Sequence, residues 1–406
     1  MENLKEESQQ EYFNKNINIS YIDEALPKAD NKIIIQHYIC SLIIYGAALV
    51  ILWTNPFFYA QSNELTRYIF KSFYLCYIII APIIYFYYRP KSLWISHNIS
   101  ICNYIKRIFL KIPKLRTLGV EDIKQELAYF KPSYTEKQSM MLMFIKFFFG
   151  FLMINGLITN IELISNRMDL YSKFVQTIKA ACLNLDMVAI KAIIINYRNI
   201  LYNNTILILF SIDLFIFCIG YLSELSLLKN KIRSVETTFA GVFFCLICYP
   251  PFIAITQNFI NLPQNDNSLA FGDVNSPITW LFRIPAIFFL LIYIAASIAL
   301  GTKASNLTNR GTVSKFPYNI VRHPAYVSKN IFWMLTIIPM FFVDFDGSNF
   351  SLVIYLKDII LITIAMISCA TVYYFRALTE ERHLIKDPEY QKYTQKVKYR
   401  FIPFVI

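Results

Sequence analysis

The sequence predicts an all-α protein: a polytopic transmembrane helical bundle of about eight spans with both termini in the cytoplasm. Three observations predict it. The 406 residues are 56% hydrophobic and 17% aromatic while only 16% are charged, against roughly a quarter in a soluble domain. Apolar runs approaching the about 20 residues that a bilayer demands recur along the chain. With the N-terminus placed inside, about 28 Lys and Arg fall on the inner side and about 7 on the outer, as the positive-inside rule asks.

Composition also narrows the chemistry. With 10 glycines and no GxGxxG or GxxxxGK[ST] pattern, Rossmann and P-loop nucleotide sites are disfavoured. The formal net charge of +12 has no basic, aromatic-interleaved soluble domain to hold nucleic acid, so lipid head groups are the expected partner. Eight cysteines lie mostly in apolar runs, as at Cys40, Cys76, Cys218 and Cys369, and read as small reduced hydrophobes. Cys245 and Cys248 form a CxxC without a second pair or a histidine pair, so no metal site is expected.

Residues 1–32 are polar and lack the apolar core of a signal peptide, which predicts a flexible tail. An N-terminal transmembrane region, 33–230, follows, with spans expected at Tyr38–Tyr59, Ser72–Tyr88, Met140–Thr159 and Thr205–Leu222. Between the second and third, the segment 89–116 is basic without an acid, and Ile95, Ile99, Cys102, Ile105 and Phe109 recur at helical spacing. This predicts a helix lying on the inner leaflet against anionic head groups, with a solvated loop as the alternative. Ser133 and Glu136, after Pro132, form a capping box for the third span. The 160–204 connection, which carries five basic residues on the expected outer side, reads as an interfacial helix pair.

A C-terminal domain, 231–406, holds the remaining spans at Phe239–Ile255, Trp280–Leu300, Tyr326–Val343 and Leu352–Phe375. Its outer connections, 256–279 and 344–349, contain no Lys or Arg. Charges inside apolar runs are costly, which singles out Lys146, Asp213, Arg283 and Lys357. Pairing of Asp213 with Lys146 or Arg283 is the expectation, and a proton or ion path the alternative.

Chemistry concentrates in IVRHPAYVSKNIFW, from Ile320 to Trp333. The residue before a proline is pushed out of the helical region, and proline fits a first helical turn, so His323 is the expected cap and Pro324 the first helical residue. The free amides and positive dipole end of that helix, with Arg322 beside them, form a receiver for a carboxylate or phosphate, and Tyr326 lies within the first turn. Near the C-terminus, Arg376, Glu380 and His383 share a helical face, with Glu381 adjacent. Spacing alone leaves the glutamates open between holding a cationic ligand and pairing with Arg376 and Arg382 as solvated charges.

Pro317-Tyr318, Arg322-His323-Pro324-x-Tyr326, Arg376, Glu380-Glu381, Asp387-Pro388-x-Tyr390-x-x-Tyr393 and Phe401-Ile402-Pro403 form an ordered set. Together they resemble the integral-membrane methyltransferases typified by isoprenylcysteine carboxyl methyltransferase and the phospholipid N-methyltransferases. The resemblance covers roughly the C-terminal third. It implies that S-adenosylmethionine binds in a pocket of the C-terminal helices open to the cytosol, and that a lipid or lipidated acceptor enters from the bilayer. By matched position, Tyr318, Arg322, His323, Pro324, Tyr326, Arg376, Glu380 and Glu381 would contact the cofactor, with His323, Arg322 and Glu380 nearest the chemistry. Two departures are Phe316 and Ser328, where the family often has glycine. An NADPH-dependent sterol or isoprenoid reductase of the same membrane architecture is an alternative, since Tyr399-Arg400-Phe401-Ile402-Pro403 resembles its tail. A non-enzymatic transporter or lipid scaffold is another.

Overall fold

A computed structural model of the chain describes residues 26–115, 130–224, 228–253, 276–339 and 352–405. Most of the expected polar tail, and most of the two outer connections without basic residues, lie outside the described residues. Among those described, twelve α-helices and one two-stranded sheet make the fold nearly all-α.

Among the described residues, six helices are long and apolar enough to cross a membrane: Asn31–Thr54, Glu64–Tyr88, Tyr134–Ser165, Met187–Leu222, Pro277–Lys303 and Tyr355–Leu384. Each overlaps an expected span. The other two expected spans are shorter as described. Phe239–Leu246 is a helix of 8 residues, after which Pro250 and Pro251, without amide hydrogens, cannot continue the ladder. Pro324–Ile337 has 14 residues, about 21 Å at about 1.5 Å per residue, against about 30 Å of hydrocarbon.

The chain forms two compact units. The first comprises residues up to 155 together with 231–237 and 307–310. It contains α1 (Asn31–Thr54), α2 (Pro56–Gln61), α3 (Glu64–Tyr88), α4 (His97–Leu115) and most of α5 (Tyr134–Ser165). Asp30 starts α1 by accepting from the Ile33 amide at 2.8 Å. Tyr38 on α1 donates to the Ile78 carbonyl of α3 at 2.8 Å, while His37 meets Ser96 at 2.6 Å and Asn98 of α4 donates to Ser41 at 2.6 Å.

The expected stripe on α4 divides. Cys102 faces α1, its thiol 3.9 Å from the Cys40 carbonyl, whereas Ile105 and Phe109 are exposed together with Leu110 and Ile112. At the start of α5 the capping box forms as expected: Glu136 N donates to Ser133 Oγ at 3.3 Å, and Ser133 N to Glu136 Oε2 at 2.8 Å. One turn on, the Gln138 amide makes paired 2.6 Å bonds with the Val235 backbone. Val235 belongs to β1 (Ser234–Val235), antiparallel to β2 (Thr308–Asn309).

The second unit comprises 156–230, 238–306 and 311–406. Its helices are α6 (Met168–Leu183), α7 (Met187–Leu222), α8 (Phe239–Leu246), α9 (Pro277–Leu300), α10 (Pro324–Ile337), α11 (Leu352–Leu384) and α12 (Pro388–Lys396). The 160–204 connection holds two helical stretches, α6 and the first half of α7, but the second is continuous with the expected span instead of ending before it. Asp186 caps the Ala189 amide at 2.9 Å, and from Met187 the helix runs unbroken into the apolar part of α7. The reason is local: no Gly or Pro interrupts residues 187–204, and helix already begun extends at low cost.

Leu209, Ala286, Leu290, Tyr293, Ile294 and Phe332 form the core of α7, α9 and α10, and Phe210 stacks on Trp333 with ring centroids 6.0 Å apart. Gly220 lets α7 approach the turn after α9, since a Cβ there would lie 1.9 Å from the Ala304 carbonyl oxygen. Gly220→Ala is therefore expected to destabilise by about 1–3 kcal/mol, as an overpacked backbone contact does, and thermal unfolding in detergent checks it.

Candidate functional site

The start of α10 matches the expectation. His323 is the cap residue with non-helical φ −123° and ψ 55°, and Pro324 opens the helix. The imidazole makes no cap bond, so both ring nitrogens are available elsewhere. Nε2 lies 3.1 Å from Glu381 Oε1 and Nδ1 4.0 Å from Glu380 Oε2, with the ring parallel to Tyr326 at 5.3 Å between centroids. The two motifs, far apart in sequence, meet here.

Glu381 is the hub. Its Oε2 accepts from Arg322 Nη1 at 3.0 Å and from Arg400 Nε and Nη2 at 3.0 and 2.9 Å. Arg322 spends its other donors on the tail, with Nε reaching the Val397 carbonyl at 3.0 Å and Nη2 the Lys398 carbonyl at 2.7 Å. The amides of Arg322 and His323 donate to the Tyr399 and Arg400 carbonyls, each at 3.0 Å. The Glu381 carboxylate beside Arg400 pushes that guanidinium above its ordinary pKa, so the pair stays ionised.

The Asp-Pro-x-Tyr-x-x-Tyr element delivers this tail. Asp387 caps α12 by accepting from the Glu389 amide at 2.9 Å, Pro388 takes the first turn, and Tyr390, Tyr393 and Val397 bury together against Leu384. Tyr393 donates to the Tyr318 carbonyl at 2.7 Å. Burial pushes the phenols of Tyr390, Tyr393 and Tyr318 upward, so all three stay neutral donors.

Glu380 differs from its neighbour. Its side chain is 43% exposed, and its Oε2 accepts from Tyr326 at 2.6 Å. Among the described residues its other oxygen has no hydrogen-bond partner. Arg376 donates from Nη2 to Asn306 Oδ1 at 2.7 Å, and its guanidinium lies over the rings of Tyr326, Tyr249 and Tyr373 at 5.2, 5.6 and 5.8 Å. Asn306 is itself held, since its amides donate to Tyr221 at 2.8 Å and Tyr249 at 3.0 Å.

The expected pairing of the glutamates with Arg376 and Arg382 does not form. Neither pairs with an arginine of its own helix: Arg376 turns to Asn306, and Arg382 to Thr238 at 2.6 Å. Glu381 is only 8% exposed, so it is not a solvated helix charge. Arg322, expected as a receiver for a ligand carboxylate, is engaged with Glu381 and the tail. Arg322 and Glu381 are thus engaged with each other, His323 and the tail, whereas Glu380, Tyr318, Tyr326 and Arg376 keep hydrogen-bonding capacity.

The departures at Phe316 and Ser328 are absorbed. Ser328 is buried and donates to the Pro324 carbonyl at 2.7 Å, while Phe316 is exposed. Asp213 is a correction. In place of Lys146 or Arg283, its carboxylate accepts from Tyr293 at 2.8 Å and Ser297 at 2.5 Å, both on α9. The Arg283 guanidinium lies over Tyr202 and Trp280. Two hydroxyls satisfy the carboxylate by contact, while Lys329 acts on it electrostatically.

Three residues outside the expected set belong to this region: Arg400, Asn306 and Lys329. Arg400 had appeared only in the tail that resembles the reductases, and Lys329, a charge in an apolar run three residues after Tyr326, carried a signal that the set Lys146, Asp213, Arg283 and Lys357 omitted. Comparison of the chain with family models, with curated proteins and with solved structures gave no match.

Proposed function

We propose that the chain is a membrane-embedded, S-adenosylmethionine-dependent methyltransferase acting on a lipid or a lipidated acceptor of the isoprenylcysteine kind. One observation carries the reading: Tyr326 and His323 of the first motif bond Glu380 and Glu381 of the second at 2.6 and 3.1 Å across more than fifty residues of chain. Two polar clusters at helix ends that converge in this way suit a small zwitterionic donor better than either does alone.

The available groups fit such a donor. Glu380, half-exposed with one oxygen open, suits an ammonium or ribose hydroxyls, and Tyr318 can hydrogen-bond the same ligand. Arg376 retains donors for a carboxylate, held in orientation by Asn306. Bound S-adenosylmethionine supplies a methyl group activated on a sulfonium. The chain's part is to align the acceptor with that methyl and to exclude water, for which the Tyr249, Tyr326 and Tyr373 rings are placed. A carboxylate acceptor needs no base, whereas for an amine His323 and Glu380 stand nearest to take the proton.

The charge distribution of the sequence supports a multi-pass arrangement with both termini and this site facing the cytoplasm. Exposed Ile105, Phe109 and Ile112 beside Lys106 and Lys111 support a place for α4 on anionic head groups. Radiolabelled methyl transfer by the full chain to membrane lipid or to a prenyl-cysteine analogue tests the proposal. Titration with S-adenosylhomocysteine and NADPH in detergent accompanies it. The expected result is binding of the former alone; a folded protein that binds only NADPH turns the assignment to the reductase.

A further inference from the structure

Beyond Arg400 the chain leaves the polar cluster and presents apolar side chains outward. Ile402, Phe404 and Val405 are all exposed, Phe404 to 86%. The backbone of Phe404 has φ 66°, a left-handed conformation that a bulky side chain seldom adopts. Its ring lies against that of Tyr399, with centroids 5.3 Å apart, and is otherwise turned away from the fold. An exposed phenylalanine and a strained backbone at one residue point to something outside the chain that receives the ring.

The surroundings identify what receives it. Phe401, just before, has its ring 5.7 Å from those of His323 and Tyr374. Tyr374 and Phe375 close the apolar part of α11, and from Arg376 onward that helix turns polar. The segment 401–405 therefore comes back against α11 at the level where a spanning helix passes from hydrocarbon to head groups. Lys396 and Lys398 are exposed on the approach to it. Lys315 and Phe316 are exposed on the turn before Tyr318, whose carbonyl accepts from Tyr393. The acids of α12, Asp387 and Glu389, stand at its opposite end. Apolar side chains at this level with lysines beside them complement an anionic phospholipid surface, the former entering the acyl boundary and the latter meeting phosphates.

We infer that residues 396–405 form a strap seated in the bilayer interface. Ile402, Phe404 and Val405 lie among the acyl chains, and Lys315, Lys396 and Lys398 meet the phosphates of anionic phospholipid in the leaflet where α11 ends. The same strap gives its Tyr399 and Arg400 carbonyls to the Arg322 and His323 amides and its Arg400 guanidinium to Glu381, so lipid and polar cluster share one segment. The inference needs α11 to cross the membrane and takes nothing from methyl transfer or its cofactor.

The full chain carrying Phe404→Trp tests the strap in nanodiscs of phosphatidylcholine, with and without phosphatidylglycerol and without S-adenosylmethionine. The readout is the tryptophan emission added over the unsubstituted chain. Bromine on the acyl chains is expected to quench it, and aqueous iodide to leave it. In that background Ile402→Ser is expected to lower the ratio of bromine-quenched to iodide-quenched emission about tenfold in both kinds of disc. Each of Lys315→Gln, Lys396→Gln and Lys398→Gln is expected to lower it about fivefold in the anionic discs and to leave it unchanged in phosphatidylcholine alone. A segment held by the protein alone would not sense lipid charge through these lysines. Quenching by iodide and not by brominated lipid, or lysine effects equal in both kinds of disc, overturns the proposal. Should Phe404→Trp not fold, hydrogen exchange of residues 401–405 in the unsubstituted chain decides it: slower exchange in the anionic discs sustains the strap, and equal exchange overturns it.

Discussion

Glu381→Ala is expected to lower stability by about 3–5 kcal/mol, the range found when one partner of a buried ion pair is removed. The carboxylate serves Arg322, His323 and Arg400 together, and its side chain keeps only 11% of its exposure. Without it three basic groups face one another, and the tail residues 397–400 lose the charge that draws them to Arg322. Glu381→Gln should cost less, because an amide oxygen still accepts one of the bonds. Denaturant or thermal unfolding of the purified chain in detergent measures both, and a loss below about 1 kcal/mol for Glu381→Ala would mean that the cluster behaves as a solvated surface network.

Glu380→Ala is expected to do the reverse. The residue is next in sequence, yet its side chain is 43% exposed and, among the described residues, its one hydrogen-bond partner is the Tyr326 hydroxyl. Unfolding should therefore change little. Affinity for S-adenosylhomocysteine should fall about ten- to a hundredfold, the effect of losing a hydrogen bond to a charged group, and methyl transfer should fall with it. Glu380→Gln, which keeps the bond from Tyr326 but not the charge, separates charge recognition of an ammonium from hydrogen bonding to ribose. Unchanged affinity in Glu380→Ala would remove this carboxylate from the ligand site.

The contrast between these neighbours shows how far the sequence reaches. Their motif is visible in the order of residues, and so is the helix that bears them. Which of the two would be enclosed is not, because that depends on where Arg400 arrives after α12 reverses the chain. Asp213 was legible as a charge in an apolar run. What satisfies it could not be read, since Tyr293 and Ser297 lie 80 and 84 residues away and their bonds to it exist only once α7 and α9 pack. Asn306 shows no pattern at all, because an asparagine after a helix is common and its value here comes from touching Tyr221, Tyr249 and Arg376.

What the sequence determined by itself is local. It set the long apolar helices, the capping box of Ser133 and Glu136, the opening of α10 at His323 and Pro324, and the capping of α12 by Asp387 with Pro388 behind it. Each depends on residues within a few positions of one another, where backbone sterics and side-chain reach leave few choices. The tertiary structure decided which charges are satisfied: Glu381 by three partners, Asp213 by two hydroxyls, Glu380 by one phenol. In an apolar interior a polar group is stabilised only by what touches it, and touching is settled by how helices pack, not by their order along the chain.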